Sequence, residues 1–370
     1  MIKRKQWIQK WAYLALAIVI TLLLSTSAKS EDALNSQFNK AFYFYQDALK
    51  SKNEDAQLKY AKEAYQLGKS LYGDTDIKTA QLALILAKHY LNNKQNKQAT
   101  PLLLSTLDIF KSELGNNSIE LAELYILLGD SIASNQKNES IVYYLEAIYI
   151  AEKHEKELPY FNAKIQLKAG IALLHKGSRK SSAILRAQTF FTEHLSEDDM
   201  RVVNANFHAG KYYYARKKYN KAIKNWQANQ AAFESLEGAI HPLELNTHAF
   251  LINALEKLGK SDEATKHCIA IGSMTPWKDS QEQRPLFRTR PKYPVANARK
   301  RKEGWVKIGF TISDFGTVIG TEILESKGGK GFEKSSLAAI KKWRFAPKFE
   351  DGKPVEAYAT VQLDFRMNKG

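Results

Sequence analysis

WVKIGFTISDFGTVIGTEILES, residues 305–326, decides the fold of the C-terminal part of this chain. Apolar and polar residues alternate through 305–313, the period of a half-buried strand. Asp314-Phe315-Gly316 then makes a turn, with glycine where a left-handed backbone is needed. The run 317–326 returns as a second strand. In GFEKSSLAAIKKWRF (331–345) the period changes, and Phe332, Leu337, Ile340 and Trp343 recur at helical spacings. Gly328-Gly329-Lys330-Gly331 reads as the turn into this helix, because it lacks the spacing of a phosphate-binding loop. After Pro347 and the turn Asp351-Gly352-Lys353-Pro354, VEAYATVQLDF (355–365) is a third strand. The order β-β-α-β predicts a small α+β domain over 290–370, with one helix against an antiparallel sheet. A linker at 273–289 precedes it, where MTPWKDSQEQRPLF (274–287) breaks the helical period.

Upstream, residues 31–272 hold three prolines and sustained helical periodicity. LYGDTDIKTAQLALILAKHY (71–90) aligns with ELGNNSIELAELYILLGDSI (113–132) at an offset of 42. Gly73 matches Gly115, Ala80 matches Ala122, and Ala87 matches Gly129. Small residues at such positions let two helices approach closely, while leucines and aromatics fill the layer between them. Six helix-hairpin units are expected. None buries its apolar face alone, so they stack into an α-helical solenoid. Three aromatic runs, Tyr43-Phe44-Tyr45, Tyr143-Tyr144 and Tyr212-Tyr213-Tyr214, would either pack between helices or line a concave binding face.

GKYYYARKKYNKAI (210–223) resembles the tetratricopeptide pattern: glycine, an aromatic helix end, a short turn, then Tyr-x-x-Ala-Ile. The resemblance implies a protein-binding array, whose ligand is unknown.

The C-terminal domain resembles that of the TonB family. The resemblance is carried by Pro291-x-Tyr293-Pro294, Gly304, the Gly316 hairpin, Ile323-Leu324-x-Ser326, Phe332, Trp343-Arg344-Phe345-x-Pro347 and Gly352-x-Pro354-Val355, in that order. It covers roughly a fifth of the chain. It implies docking on outer-membrane receptors, with the receptor's TonB-box segment added as a strand to the edge formed by the last strand. A short sheet with one covered face supports that mode, since its edge N–H and C=O groups are unpaired. The residues so implicated are Pro291, Tyr293, Pro294, Arg299 and Arg301 beside the sheet, and Tyr358, Thr360, Val361, Gln362 and Leu363 on the strand. Pairing of two copies into a homodimer through the same edge is the competing use. Trp343 reads as core.

The formal charge of +16 suggests nucleic acid, yet its distribution argues otherwise. Residues 1–30 carry five Lys/Arg and no acid, and 284–370 carry nineteen against nine, which leaves the large middle near neutral. Lys3, Arg4, Lys5 and Lys10 precede an uncharged run, Trp11–Ala28, as an export signal requires. Two readings stand. Thr26-Ser27-Ala28 offers a cleavage site for a signal peptide, whereas eighteen residues make roughly 27 Å of helix, enough for a membrane anchor. Both place the remainder in the cell envelope, in the inner membrane facing the periplasm or free in the periplasm. Nucleic acid is then no partner.

The single cysteine, Cys268, reads as a small buried hydrophobe. No metal-ligand spacing backed by carboxylates occurs among the eight histidines, and His241 before Pro242 reads as a helix cap. No cofactor and no catalytic residue is expected. Two departures from the TonB family matter. No histidine precedes His89, so the signature of coupling to an ExbB/ExbD-type motor is missing. The family's Pro-rich spacer is replaced by the repeat array. The leading expectation is an energy transducer for uptake through outer-membrane receptors, such as iron-siderophore uptake. The alternative is a soluble periplasmic adaptor that transmits no force.

Overall fold

The computed structural model describes residues 31–234, 241–275, 277 and 283–367. The expected signal or anchor at 1–30 lies outside them. Among the described residues, no helix is long and apolar enough to cross a membrane. The chain divides into two compact units at the Ala183/Ile184 junction.

The first unit holds α1 (31–50), α2 (Glu54–Tyr72), α3 (Ile77–Asn92), α4 (Asn96–Leu114), α5 (Glu120–Ser131), α6 (Lys137–Lys153) and α7 (Pro159–His175), each packed on the next. Local signals set their ends. Asn53 and Asp76 accept backbone N–H bonds at the starts of α2 and α3, at 3.1 and 2.7 Å. Gly73 and Gly115, the glycines related by the 42-residue offset, end α2 and α4 at φ +89° and +86°. The small positions behave as expected. Gly129 lies under the ring of Tyr144, where a methyl group would overlap it. The buried Tyr144 hydroxyl donates to Asp130 Oδ1 at 2.7 Å. The core is a layer of leucine and isoleucine, with Leu121, Leu124, Leu128 and Ile165 fully buried.

The second unit begins within α8 (Ala183–His194) and continues through α9 (Met200–Ala215), α10 (Tyr219–Gln227), α11 (Gln230–Glu234), α12 (Pro242–Lys257) and α13 (Ser261–Met274). Gly210 repeats the device of Gly129, lying under Trp226, whose indole N–H donates to the Phe207 carbonyl at 3.0 Å. His241 caps α12, its Nδ1 accepting the Leu243 N–H at 3.1 Å. The aromatic runs are split by helical geometry. Tyr45 and Tyr144 are buried and Tyr43 is 65% exposed.

The same unit carries α14 (Val295–Arg299), β1 (Gly304–Ile312), β2 (Val318–Lys327), α15 (Lys330–Ile340), β3 (Lys348–Glu350), β4 (Lys353–Val355) and β5 (Ala357–Phe365). β1 is central in a three-stranded antiparallel sheet of order β2-β1-β5. Val306, Ile308, Phe310 and Ile312 face the core with Phe332, Ile340, Trp343 and Phe345. Gly316 takes the expected left-handed turn at φ +74°.

Two expectations are corrected. The helix expected to run to 345 stops at Ile340. The backbone of Arg344 bonds instead to Phe287 and Leu286, and the Phe345 N–H to Gly316, so these groups leave no ladder for a helix. The third strand does not begin at 355. Lys353–Val355 pairs with Lys348–Glu350 in a separate small hairpin, and β5 starts at Ala357. α14 follows Pro294, which presets its backbone, and ends before Arg301, at φ +49°.

Candidate functional site

β5 alternates: Tyr358, Thr360, Gln362 and Asp364 are exposed on the outer face, while Ala359, Val361 and Leu363 pack against the core. One side of β5 is taken by β1, in the register Ile308↔Val361 and Thr311↔Tyr358. No strand pairs with the other side among the described residues. Its backbone groups there are open to a partner.

The outer face is prepared by a glycine. Gly309 of β1 has no side chain, so the Tyr358 hydroxyl crosses over it and donates to Glu322 Oε1 on β2 at 3.0 Å. That bond to a carboxylate pushes the Tyr358 phenol up. Gln362 donates to Asp364 Oδ1 at 2.9 Å. On the inner face, Val361 and Leu363 border a groove of about 650 Å³, closed opposite by Pro285, Leu286 and Trp343.

Thus the five expected residues of the last strand share one edge. The other five do not join them. Tyr293 turns inward, its ring edge-on to Phe332 and Phe365 at 5.5 and 5.7 Å, and its hydroxyl donates to the Lys302 carbonyl at 2.8 Å. Pro291 and Pro294 are half-buried beside it. Arg299 and Arg301 are exposed on the α14 side and do not line the groove.

Contacts between residues far apart in sequence tie the edge to the helices. Arg344 Nε meets Glu256 Oε1 of α12 at 2.6 Å, both side chains being about nine-tenths buried. Asn253 Nδ2, also of α12, donates to the Leu286 carbonyl at 3.0 Å. Cys268 is buried beside Gly316, and burial pushes its thiol up to about 12. Among the described residues, no three His, Cys, Asp or Glu side chains gather to hold a metal.

Residues 289–367 match the family model described as Gram-negative bacterial TonB protein C-terminal. The domain at the C-terminus is of the TonB type. Protein TonB of Pseudomonas aeruginosa is 35% identical over 86 residues, which are 23% of this chain and 25% of the relative. Protein TonB of Escherichia coli is 34% identical over 85 residues, 23% of this chain and 34% of the relative. The chain therefore spans only about a quarter to a third of these relatives. A solution structure of the Pseudomonas aeruginosa TonB C-terminal domain is 33% identical, covers 25% of this chain and 93% of its own, and aligns with a TM-score of 0.22. Over the helical part, BtubC of P. vanneervenii aligns with a TM-score of 0.46 at 17% identity, covering 67% of this chain and 97% of its own. The helical hairpins repeat a glycine-under-aromatic contact, at Gly129 and at Gly210.

Proposed function

We propose that this chain is a TonB-type envelope protein whose C-terminal domain takes an extended segment of an outer-membrane receptor as a fourth strand on β5. The observation that carries this is the unpaired side of β5, beside a groove that half-exposes Val361 and Leu363. An added strand would satisfy the edge backbone and place alternate side chains in the groove. In an energy transducer, the N-terminal run would stay in the inner membrane beside an ExbB/ExbD-type motor. The helical hairpins would serve as a protein-binding arm. A cleft of about 510 Å³ on α8–α10, lined by Gln188, Asn206, Asn225, Lys221 and Lys224, supports that role for the arm. The same cleft fits equally a second reading, a periplasmic adaptor that binds protein ligands with both modules and transmits no force.

Disulfide trapping in the periplasm tests strand addition. Cysteines at Thr360 or Gln362 should cross-link to alternate cysteines of the receptor segment, with a two-residue period. A cysteine at Glu325 on β2 should not. Cross-links of equal yield on both strands, or on neither, would reject the reading.

A further inference from the structure

The run Arg299-Lys300-Arg301-Lys302 takes no part in the β5 edge, and the fold gives it a place of its own. The Arg301 N–H donates to the Ala298 carbonyl and the Lys302 N–H to the Asn297 carbonyl, at 3.0 and 2.9 Å. These bonds wrap the four cations around the end of α14, and all four are exposed. α14 in turn packs on the turn between β2 and α15. The Asn297 side-chain amide donates to the Gly328 carbonyl at 3.2 Å. A methyl group on Gly331 would lie 3.0 Å from Asn297 Oδ1 and 3.4 Å from Pro294 Cβ. The Lys302 ammonium is 4.0 Å from the methyl position of Gly329. Lys327 and Lys330, exposed on either side of the Gly328-Gly329 pair, therefore join the same corner.

Residues 299–304 and 327–330 thus bring six Lys/Arg together with one acid, Glu303. Glu303 Oε1 accepts the Met367 N–H at 2.7 Å. Glu333, in the first turn of α15, accepts from the Ser326 hydroxyl at 2.6 Å. α15 adds its positive end to the corner, because Gly329 before it has no side chain to cap it. Beside the cations stands an apolar tip. Val295 is 65% exposed and lies four residues before Arg299 on α14, so the two share a face. Like charges gathered this closely repel one another, and a surface that presents many anions at once relieves them. A layer of anionic lipid headgroups does so, attracting each Lys or Arg within a Debye length. Its boundary with the acyl chains also accepts an exposed valine, for which a dissolved anion has no use.

From this placement we infer that the corner is a contact for an anionic phospholipid surface, with its cations on headgroup phosphates and Val295 at the acyl boundary. Lys327 belongs to β2, on the opposite side of the sheet from β5. The β5 edge therefore stays open while the corner rests on a membrane. The inference rests on the envelope location proposed above and is independent of strand addition, which the cross-links test separately.

The test uses the full-length chain with V295C carrying a fluorophore, Cys268 being buried and so left unlabelled. Vesicles contain nitroxide-bearing lipids, which quench a fluorophore only where it meets the bilayer. With about one-third phosphatidylglycerol, quenching should exceed that in phosphatidylcholine vesicles by at least about threefold. High salt should remove the difference. R299Q/K300Q/R301Q/K302Q should lose it too. K40Q/K50Q/K59Q/K62Q, the same charge change at exposed positions of α1 and α2, should keep it. A label on Q362C in β5 should stay unquenched, which separates the corner from the N-terminal run that every variant shares. If the R299Q/K300Q/R301Q/K302Q chain melted early, the lipid-charge and salt dependence at V295C would still decide. Equal quenching in the two lipids, equal quenching at V295C and Q362C, or quenching that survives in a folded R299Q/K300Q/R301Q/K302Q chain would overturn the inference. A V295C response to purified cell-wall sacculi and none to anionic vesicles would also overturn it, and would assign the corner to cell-wall acids.

Discussion

Arg344 shows what single residues contribute here. Its guanidinium and the Glu256 carboxylate are nearly buried and 2.6 Å apart, so each is the other's main compensation for lost hydration. Replacing Arg344 with methionine should leave a carboxylate buried without a partner and destabilise the second unit by about 3 kcal/mol, read by urea unfolding. The double variant E256Q/R344M should recover much of that loss. A single variant as stable as the natural chain would mean that the pair is hydrated in solution. Nothing near Arg344 in sequence points to this role, because its partner is 88 residues away. His241 and Cys268 were legible for the opposite reason. A proline beside the histidine and a helical pattern around the cysteine are local signals, whereas Trp343 is buried although the helix whose spacing marked it ends at Ile340. Tyr293 sat within a legible motif, but its inward ring depends on Phe332 and Phe365, which are distant along the chain.

Among the elements, period separated strands from helices well. β1 was readable because its core-facing residues alternate, and β2 because the Gly316 turn returns the chain beside it, although β2 itself is exposed along nearly its whole length. Ends governed by tertiary hydrogen bonds were not readable. α15 stops where Phe287 and Gly316 capture the chain, and β4 leaves the main strand to pair with β3. The α12–α13 pair holds a contact that period alone could not supply: His248 Nδ1 lies 2.8 Å from His267 Nδ1, so one ring donates to the other. Burial holds both imidazoles below their usual range, His267 at about 4, and the neighbouring His248 and Lys266 push it the same way, against Glu263. The folded chain therefore refuses a proton that the unfolded chain accepts below about 6.5. Stability should be complete above that pH and fall between about 6.5 and 4, by on the order of 1–2 kcal/mol at pH 5 from His267. Melting temperatures at pH 7.5 and 5 should show this drop, and His267→Gln should flatten it. An equally steep drop in that variant would place the titration elsewhere.

For the whole molecule, the 42-residue repeat and the change of period near 274 disclosed a helical array followed by a small α+β domain. The grouping of the last helical hairpins with the sheet was not disclosed. It depends on Glu256, Asn253 and Gly272, three positions on helices that look like any others in the array. The segment 283–287 accordingly reads in sequence as linker and serves in the structure as a groove wall. The central claim is that the unpaired side of β5 receives a partner strand. Amide hydrogen exchange on the full-length chain, with and without a synthetic peptide covering the periplasm-facing N-terminal segment of an outer-membrane receptor, tests it most directly. The account predicts new protection within 357–365 and none within 318–327. Protection confined to β2 or to the helices, with β5 unchanged by a bound peptide, would contradict it.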